Sequence, residues 1–420
     1  MIDSLGPEHS LDARRIVGIN FWAVREGLRG TEPAALFVGL CQQLIGAGVP
    51  VWRAFVGART LHPQWAGYSY TWWRDGGGVE PTRFPRGDRY EQIVANSVFG
   101  YLLSEAPGRD PWISLRRRLV GSDPLLDFPI LAELAADGAT DYFAELVRPG
   151  IEDASGVGGV AYSFATDRDN GFSDDDITTL RAVLPVVSLA MRAYAGRAIA
   201  AGLLGAYLGH DAGRRVHQGA VERGSVEAIS AVLWNADIRG FTTIADETPG
   251  AAVIELLDEV FETLATSLRP RRAQILKFMG DGMLAIFPFD NVGQRETCRL
   301  ALDAAAEAMS AIDCMNGTRR ASGKRVGMVD LALHLGEVLY GNVGAADRLD
   351  FTIIGPAVNE VARIEALCEP LGRNVLVSAE FAAAAGQDYR LELLGCHILR
   401  GVRDARAIYG LEYGLPGERQ

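Results

Sequence analysis

Apolar residues recur at three- and four-residue steps over 13–29 and 33–47, the spacing that predicts amphipathic helices. Short, partly alternating apolar runs at 51–56, 68–73, 112–119, 142–147 and 157–165 predict strands. The turn-rich segment LHPQWAG separates the first two. Ser173 followed by Asp174, Asp175 and Asp176 predicts a helix start, because the hydroxyl can cap and the acids favour the positive end of the helix dipole. That helix is expected to run to about Leu208. A further helical stretch, 203–223, ends near Gly219 with basic residues close by and is expected to connect two halves of the chain.

Beyond it the periods alternate more regularly. An apolar strand at 229–237 precedes an amphipathic helix at 249–268. Two apolar strands then flank Met-Gly-Asp-Gly within 274–287, the mark of a hairpin. An alanine-rich helix at 292–315 follows, then a strand at 325–335, a hairpin-like unit at 337–354 and a helix at 357–367. The order is βαββαβ with additions, which predicts an α+β, ferredoxin-like sheet.

Length and composition narrow this picture. With 420 residues, two domains are expected. A 48% apolar and 22% charged composition is that of a globular chain. The net charge of −12 argues against a nucleic-acid partner, since phosphate backbones need a basic face. Five scattered cysteines without a CxxC pair suggest neither a zinc site nor a disulfide framework, and point to reduced thiols in a cytoplasmic protein. The N-terminus has no apolar signal core. Arg192 and Arg197 interrupt the most apolar stretch, 182–208, so no run of about 18 uncharged apolar residues suggests a membrane span. Six of the seven tryptophans precede residue 113, a shift in composition consistent with two domains of separate origin.

Two carboxylates carry the candidate chemistry. Asp237 ends the first strand of the second half, and Asp281 sits at the hairpin tip. In the expected sheet these strands are central neighbours, so the two acids can converge. Hard divalent cations take oxygen ligands and often use one or two carboxylates plus substrate phosphates. The segment Ile238, Arg239, Gly240, Phe241, Thr242 offers a turn of backbone N–H groups suited to phosphate oxygens. Each feature alone is ordinary turn chemistry.

Four blocks taken together are more specific: VLWNADIRGFT at 232–242, ILKFMGDGMLA at 275–285, LHLGEVLYGNVG at 333–344 and RLDFTIIGPAVNEVAR at 348–363. In this order and at these separations they resemble the class III adenylate and guanylate cyclases, over about 228–412. The resemblance implies that Asp237, Asp281 and the backbone of Ile238 hold two Mg²⁺ or Mn²⁺ ions per active site. It implies that Lys277 and Thr352 read the purine. Lysine can donate to adenine N1, and guanylate cyclases of this family usually carry glutamate there. A threonine at the second position marks a bacterial subgroup that still makes cyclic AMP, some members of which respond to bicarbonate. Asn359 and Arg363, four residues apart on one helix face, would position the ribose and stabilise the transferring phosphate. Gly240, Phe241 and Thr242 would line the phosphates, and Arg348, Arg400 and Arg403 would contact them. His334 is read as a strand residue of the core. Since the two halves of one site come from opposite subunits in this family, a homodimer acting on ATP is expected, regulated by what precedes it. Cyclisation of GTP or a pyrimidine nucleotide, and an inactive nucleotide-binding module, are the alternatives. A diguanylate cyclase is disfavoured, because MGDGM at 279–283 is not a GG(D/E)EF loop.

The first half loosely resembles a GAF-type sensory domain, in element order, the LHPxxxG turn and the acidic FSDDD start of its last helix. Trp65, Tyr68, Tyr70, Trp72 and Trp73 could line a pocket for a small-molecule effector or pack a core. The expected division is a tail at 1–12, a GAF-like sensory domain at 13–195, a helical linker at 196–226 and a catalytic domain at 227–420.

Overall fold

The computed structural model describes residues 7–76, 78–105, 112–148, 159–289, 292–386, 389–402 and 404–411. The chain forms two compact units that divide between Leu203 and Leu204.

The first unit is built on six antiparallel strands: β1 (Arg53–Arg59), β2 (Trp65–Trp73), β3 (Val79–Pro85), β4 (Trp112–Arg118), β5 (Asp141–Val147) and β6 (Val160–Thr166). Their order across the sheet is β3-β2-β1-β6-β5-β4. Strand alternation sends Ala54, Val56, Tyr162 and Phe164 to one face, where they pack with Phe37, Leu40, Leu184 and Val187 of the helices Pro33–Gly46 and Asp174–Leu208. The opposite face is covered in part by the helices Val98–Glu105 and Pro129–Ala136, through Leu102, Leu131 and Leu134 against Leu115, Tyr142 and Leu146. Helix Asp174–Leu208 meets the length and hydropathy of a membrane span, contrary to the expectation from the arginines. Its residues from Ile177 to Met191 nonetheless supply one wall of the first core, as a core helix does. Strand β3 and the helices around it were not foreseen. VEPTRFP carries two prolines and mostly exposed side chains, so no alternation marks it, and it survives as an edge strand.

The second unit holds β7 (Val226–Ile238), β8 (Gln274–Met279), β9 (Gly282–Pro288), β10 (Val329–Gly344), β11 (Leu349–Ile354), β12 (Val375–Ser378), β13 (Leu391–His397) and β14 (Arg406–Leu411). The order is β13-β14-β12-β10-β7-β9-β8, and β11 pairs with β10 off this path. Helices Gly250–Leu268 and Gln294–Ala321 cover one face, burying Val232, Trp234, Ala236 and Ile238 of β7. Helix Pro356–Glu365 covers the other, over Ala231 and Leu233. Where the sequence predicts a break near Gly336, β10 runs unbroken, pairing Gly336 with Ala231 of β7. Gly336 is there for space: a Cβ on it would come within 2.5 Å of Ala357 on the covering helix. Within the stretch expected as a linker, helix His210–His217 packs on this unit. Ala212 is buried in its core, and the Arg215 guanidinium lies 5.2 Å from the Tyr340 ring centre.

Candidate active site

Asp237 is the penultimate residue of β7, and strand parity places it on the face of Ala231 and Leu233, under helix Pro356–Glu365. Pairing of Ala236 with Met283 brings the end of β7 beside the β8–β9 hairpin tip. The tip closes between Met279 and Gly282, with Gly280 at φ 66° in the left-handed region that favours glycine. Gly282 abuts the Asp237 carboxylate so closely that a Cβ there would lie 3.2 Å from Oδ1. Asp281 therefore stands within hydrogen-bonding reach of Asp237. Burial, and then the neighbouring Asp281 charge, push Asp237 up to about 6.

Two carboxylates held this close repel one another, and a divalent cation removes that repulsion, so this pair fits the ions that the sequence implies. Among the described residues no cluster of three or more His, Cys, Asp or Glu side chains is disposed to hold a metal. Further ligands would have to be backbone or substrate oxygens. The Ile238 side chain is buried in the core, so only its backbone can take part. Gly240, at φ 66° and ψ 24°, turns the chain into the helix Phe241–Glu247. Phe241 anchors that turn on the core while Thr242 is exposed.

Three charged residues around this pair went unmarked in the sequence. Arg239 donates from Nε to Asp330 Oδ2 at 2.9 Å and makes a second bond to Asp330 through its other nitrogen. It also reaches Asn374 Oδ1 at 3.2 Å. Asp330 is the register partner of Asp237 across β10 and β7. Glu365, at the end of helix Pro356–Glu365, is pushed up to about 7 by burial and then by the charges of Asp237, Asp330 and Asp281. A sequence clue existed for Arg239 alone, inside the ADIRGFT block.

The base-reading candidates lie around β11. Lys277 Nζ stands 3.2 Å from Asp350 Oδ2. Thr352 follows two residues later, 6% exposed, and its Oγ1 has no hydrogen-bond partner. An orphaned hydroxyl beside a lysine is what a polar ligand edge would satisfy. Asn359 is exposed on its helix, and Arg363 is half-buried one turn on. The Arg363 guanidinium lies against Gly401, where a Cβ would come 3.5 Å from NH2, so Arg363 meets the LRG segment that carries Arg400. Arg400 and Arg348 are exposed, and Arg403 lies outside the described residues. His334 is buried in β10 at 3.3 Å from Glu360, and burial lowers its pKa, in keeping with a core role. Among the described residues, no hydrogen bond or ion pair within one chain links Asp237 or Asp281 to Lys277, Asn359 or Arg363.

Residues 223–412 match the family model described as the Adenylate and Guanylate cyclase catalytic domain. An adenylate cyclase from Anabaena cylindrica is 26% identical over 196 residues, covering 45% of this chain and 38% of that protein. Adenylate cyclase 1 of Rhizobium meliloti is 31% identical over 176 residues, covering 41% of this chain and 26% of that protein. The matched segment thus spans less than two fifths of the length of either relative. Among solved structures, the adenylyl cyclase CyaB from P. aeruginosa aligns with a TM-score of 0.42 at 22% identity, covering 45% of this chain and 97% of that one. The guanylyl cyclase Cya2 aligns with a TM-score of 0.40 at 24% identity, covering 46% of this chain and 97% of that one.

Proposed function

We propose, from the match of residues 223–412 to the adenylate and guanylate cyclase catalytic-domain model, that the chain is an adenylate cyclase that converts ATP to 3′,5′-cyclic AMP and pyrophosphate as a cytoplasmic homodimer. The observation that carries this reading is the convergence of Asp237 and Asp281 at the end of β7.

The reaction is attack of the ribose 3′-oxygen on the α-phosphorus, with pyrophosphate leaving. Nucleophile and leaving group both belong to the substrate, so the protein contributes orientation and electrostatic stabilisation. Two Mg²⁺ or Mn²⁺ ions on Asp237, Asp281 and the Ile238 backbone would supply Lewis-acid activation of the 3′-hydroxyl and charge neutralisation on the triphosphate. Backbone N–H groups at Gly240, Phe241 and Thr242 face the phosphates. From the partner chain, Lys277 donates to adenine N1 and Thr352 accepts from the adenine amino group. Asn359 aligns the ribose, Arg363 stabilises charge on the α-phosphate, and Arg400 and Arg348 steady the outer phosphates. With one residue set lent by each chain, a symmetric dimer builds two such sites.

One observation favours a second reading, cyclisation of GTP or a pyrimidine nucleotide. The unpartnered Thr352 hydroxyl can donate as well as accept, so it discriminates between base edges only softly. Residues 13–195 act in this proposal as a regulatory, GAF-like sensor, a reading supported by their six-stranded antiparallel sheet. The test is purified chain with Mn²⁺ or Mg²⁺ and each of the four nucleoside triphosphates, with products resolved by mass spectrometry. Cyclic AMP as the main product supports the proposal. No cyclic product from any nucleotide rejects it in favour of an inactive nucleotide-binding module.

A further inference from the structure

The first unit carries a cleft of about 510 Å³, partly open to solvent, on the sheet face away from helix Asp174–Leu208. Its size lies within the roughly 300–1,000 Å³ of small-molecule sites. Strand parity aims Phe55 and Gly57 of β1, and Ala161 and Ser163 of β6, into it. Phe55 stacks on Phe99 of helix Val98–Glu105 with ring centres 5.7 Å apart. Ile93 and Leu103 keep 46% and 42% of their surface open, an unusual share for apolar side chains bordering a cavity. Of the five aromatics marked in the sequence, only Tyr68 borders this space. Trp72 and Tyr70 pack instead on the core of the opposite face.

The wall is largely apolar, with polar side chains at Arg53, Arg59, Ser97, Tyr142 and Ser163. Arg53 lines the cavity, and burial lowers its pKa. Among the described residues its guanidinium has no carboxylate at ion-pair distance. It lies over the Trp73 ring, 5.4 Å away, and the neighbouring Tyr142 and then Glu133 interact with it electrostatically. The cavity's other arginine, Arg59, is already bound to Glu91 at 2.9 Å. A half-buried guanidinium facing an apolar space without a counter-ion is costly, and a carboxylate is the planar acceptor that its fork of donors matches.

We propose that this cavity binds one amphipathic carboxylate, its apolar body between Phe55, Phe99 and Leu146 and its carboxylate on Arg53. The site would be the input of the regulatory unit. Its test reads binding alone, so its failure is distinct from failure of the cyclase reading.

The experiment titrates the full chain with decanoate and, separately, with decan-1-ol, by calorimetry and tryptophan fluorescence. Trp73, stacked beneath Arg53, supplies the optical signal. Decanoate is expected to bind one per chain, at least about tenfold tighter than the alcohol, the range of one charge-assisted hydrogen-bond pair. Arg53→Gln should reduce decanoate to the level of the alcohol and leave the alcohol unchanged. Ala161→Phe, which fills the cavity floor, should abolish both. Equal affinity for the two probes, binding of neither, or decanoate binding unaltered by Arg53→Gln overturns the proposal. If Ala161→Phe does not fold, the comparison of the two probes on the unaltered chain still decides.

Discussion

Lys277 reaches Asp350 on β11 at 3.2 Å, two residues before Thr352 on the same edge strand. Both partners of this ion pair are partly exposed, so the pair contributes about 0–1 kcal/mol to stability at most. Its consequence is positional: it holds the ammonium over the strand that carries the orphaned Thr352 hydroxyl.

Reversing the charge at that point should therefore alter base choice more than folding. Lys277→Glu is expected to lower kcat/KM for ATP by at least about 100-fold, because an acceptor then faces the adenine N1 acceptor with no donor between them. Activity toward GTP relative to ATP should rise. Asp350→Ala should change either value less than about fivefold, since an exposed ion pair contributes about 1 kcal/mol at most. Competition among the four nucleoside triphosphates measures both. A Lys277→Glu chain with undiminished ATP preference would remove Lys277 from base recognition.

The shared site predicts complementation. Asp237→Ala and Lys277→Ala chains, each inactive alone, should regain activity when mixed. Each mixed dimer then has one intact site and one doubly damaged site. Random pairing puts half the dimers in that class, so mixing should restore roughly one quarter of wild-type turnover per chain. Native mass spectrometry verifies mixing, and an inactive mixture in which mixed dimers are proven excludes the shared site.

The raised carboxylates have a pH signature with a fixed sign. Asp237, at about 6, and Glu365, at about 7, hold their protons more tightly folded than unfolded. Their contribution to stability is complete below the unfolded carboxylate range and is lost as pH rises through those values. In chelator, the melting temperature of the cyclase half should fall between pH 5 and pH 8. Asp237→Asn should flatten the fall, gaining a few degrees at pH 8 and almost nothing at pH 5. Added Mn²⁺ should stabilise the wild-type protein more at pH 8 than at pH 5, and the Asp237→Asn chain little at either. Differential scanning fluorimetry across that range reads all three. A variant whose melting curve parallels the wild type at every pH would separate Asp237 from this effect.

The cyclase half was legible because its signals are local and redundant. The Met-Gly-Asp-Gly turn, the apolar run at 229–237 and the Asn359–Arg363 spacing are each readable from neighbouring residues alone. What stayed hidden depends on contacts far apart in the chain. Arg239 finds Asp330 across 91 residues, and Glu365 matters only because helix Pro356–Glu365 crosses the end of β7. Strand β10 looked broken because Gly336 reads as a stop, whereas its missing side chain makes room for Ala357. In the first half the aromatic cluster suggested a pocket, but Tyr70 and Trp72 pack on the core of the opposite face. Arg53, at the start of β1, carried no local mark.

The Arg239–Asp330 pair should show what a buried ion pair does beside a metal site. Asp330 is 4% exposed, and Arg239 holds both of its oxygens. Removing the arginine alone leaves a buried charge next to Asp237, so Arg239→Ala should cost about 3–5 kcal/mol. Asp330→Asn in the same chain should recover much of that, because the remaining amide carries no charge to desolvate. The two sites also share an electrostatic field. With Arg239 gone, the charge of Asp330, which already raises Asp237, is no longer offset, and Asp237 should take up its proton more readily still. The Arg239→Ala chain should therefore need a higher pH for half-maximal activity than the wild type, by a few tenths of a unit or more. Asp330→Asn alone should shift that midpoint the other way. Urea unfolding gives the stabilities and a pH–rate profile at saturating Mn²⁺ gives the midpoints. If both variants move the midpoint in the same direction, the charge at Asp330 does not act through Asp237.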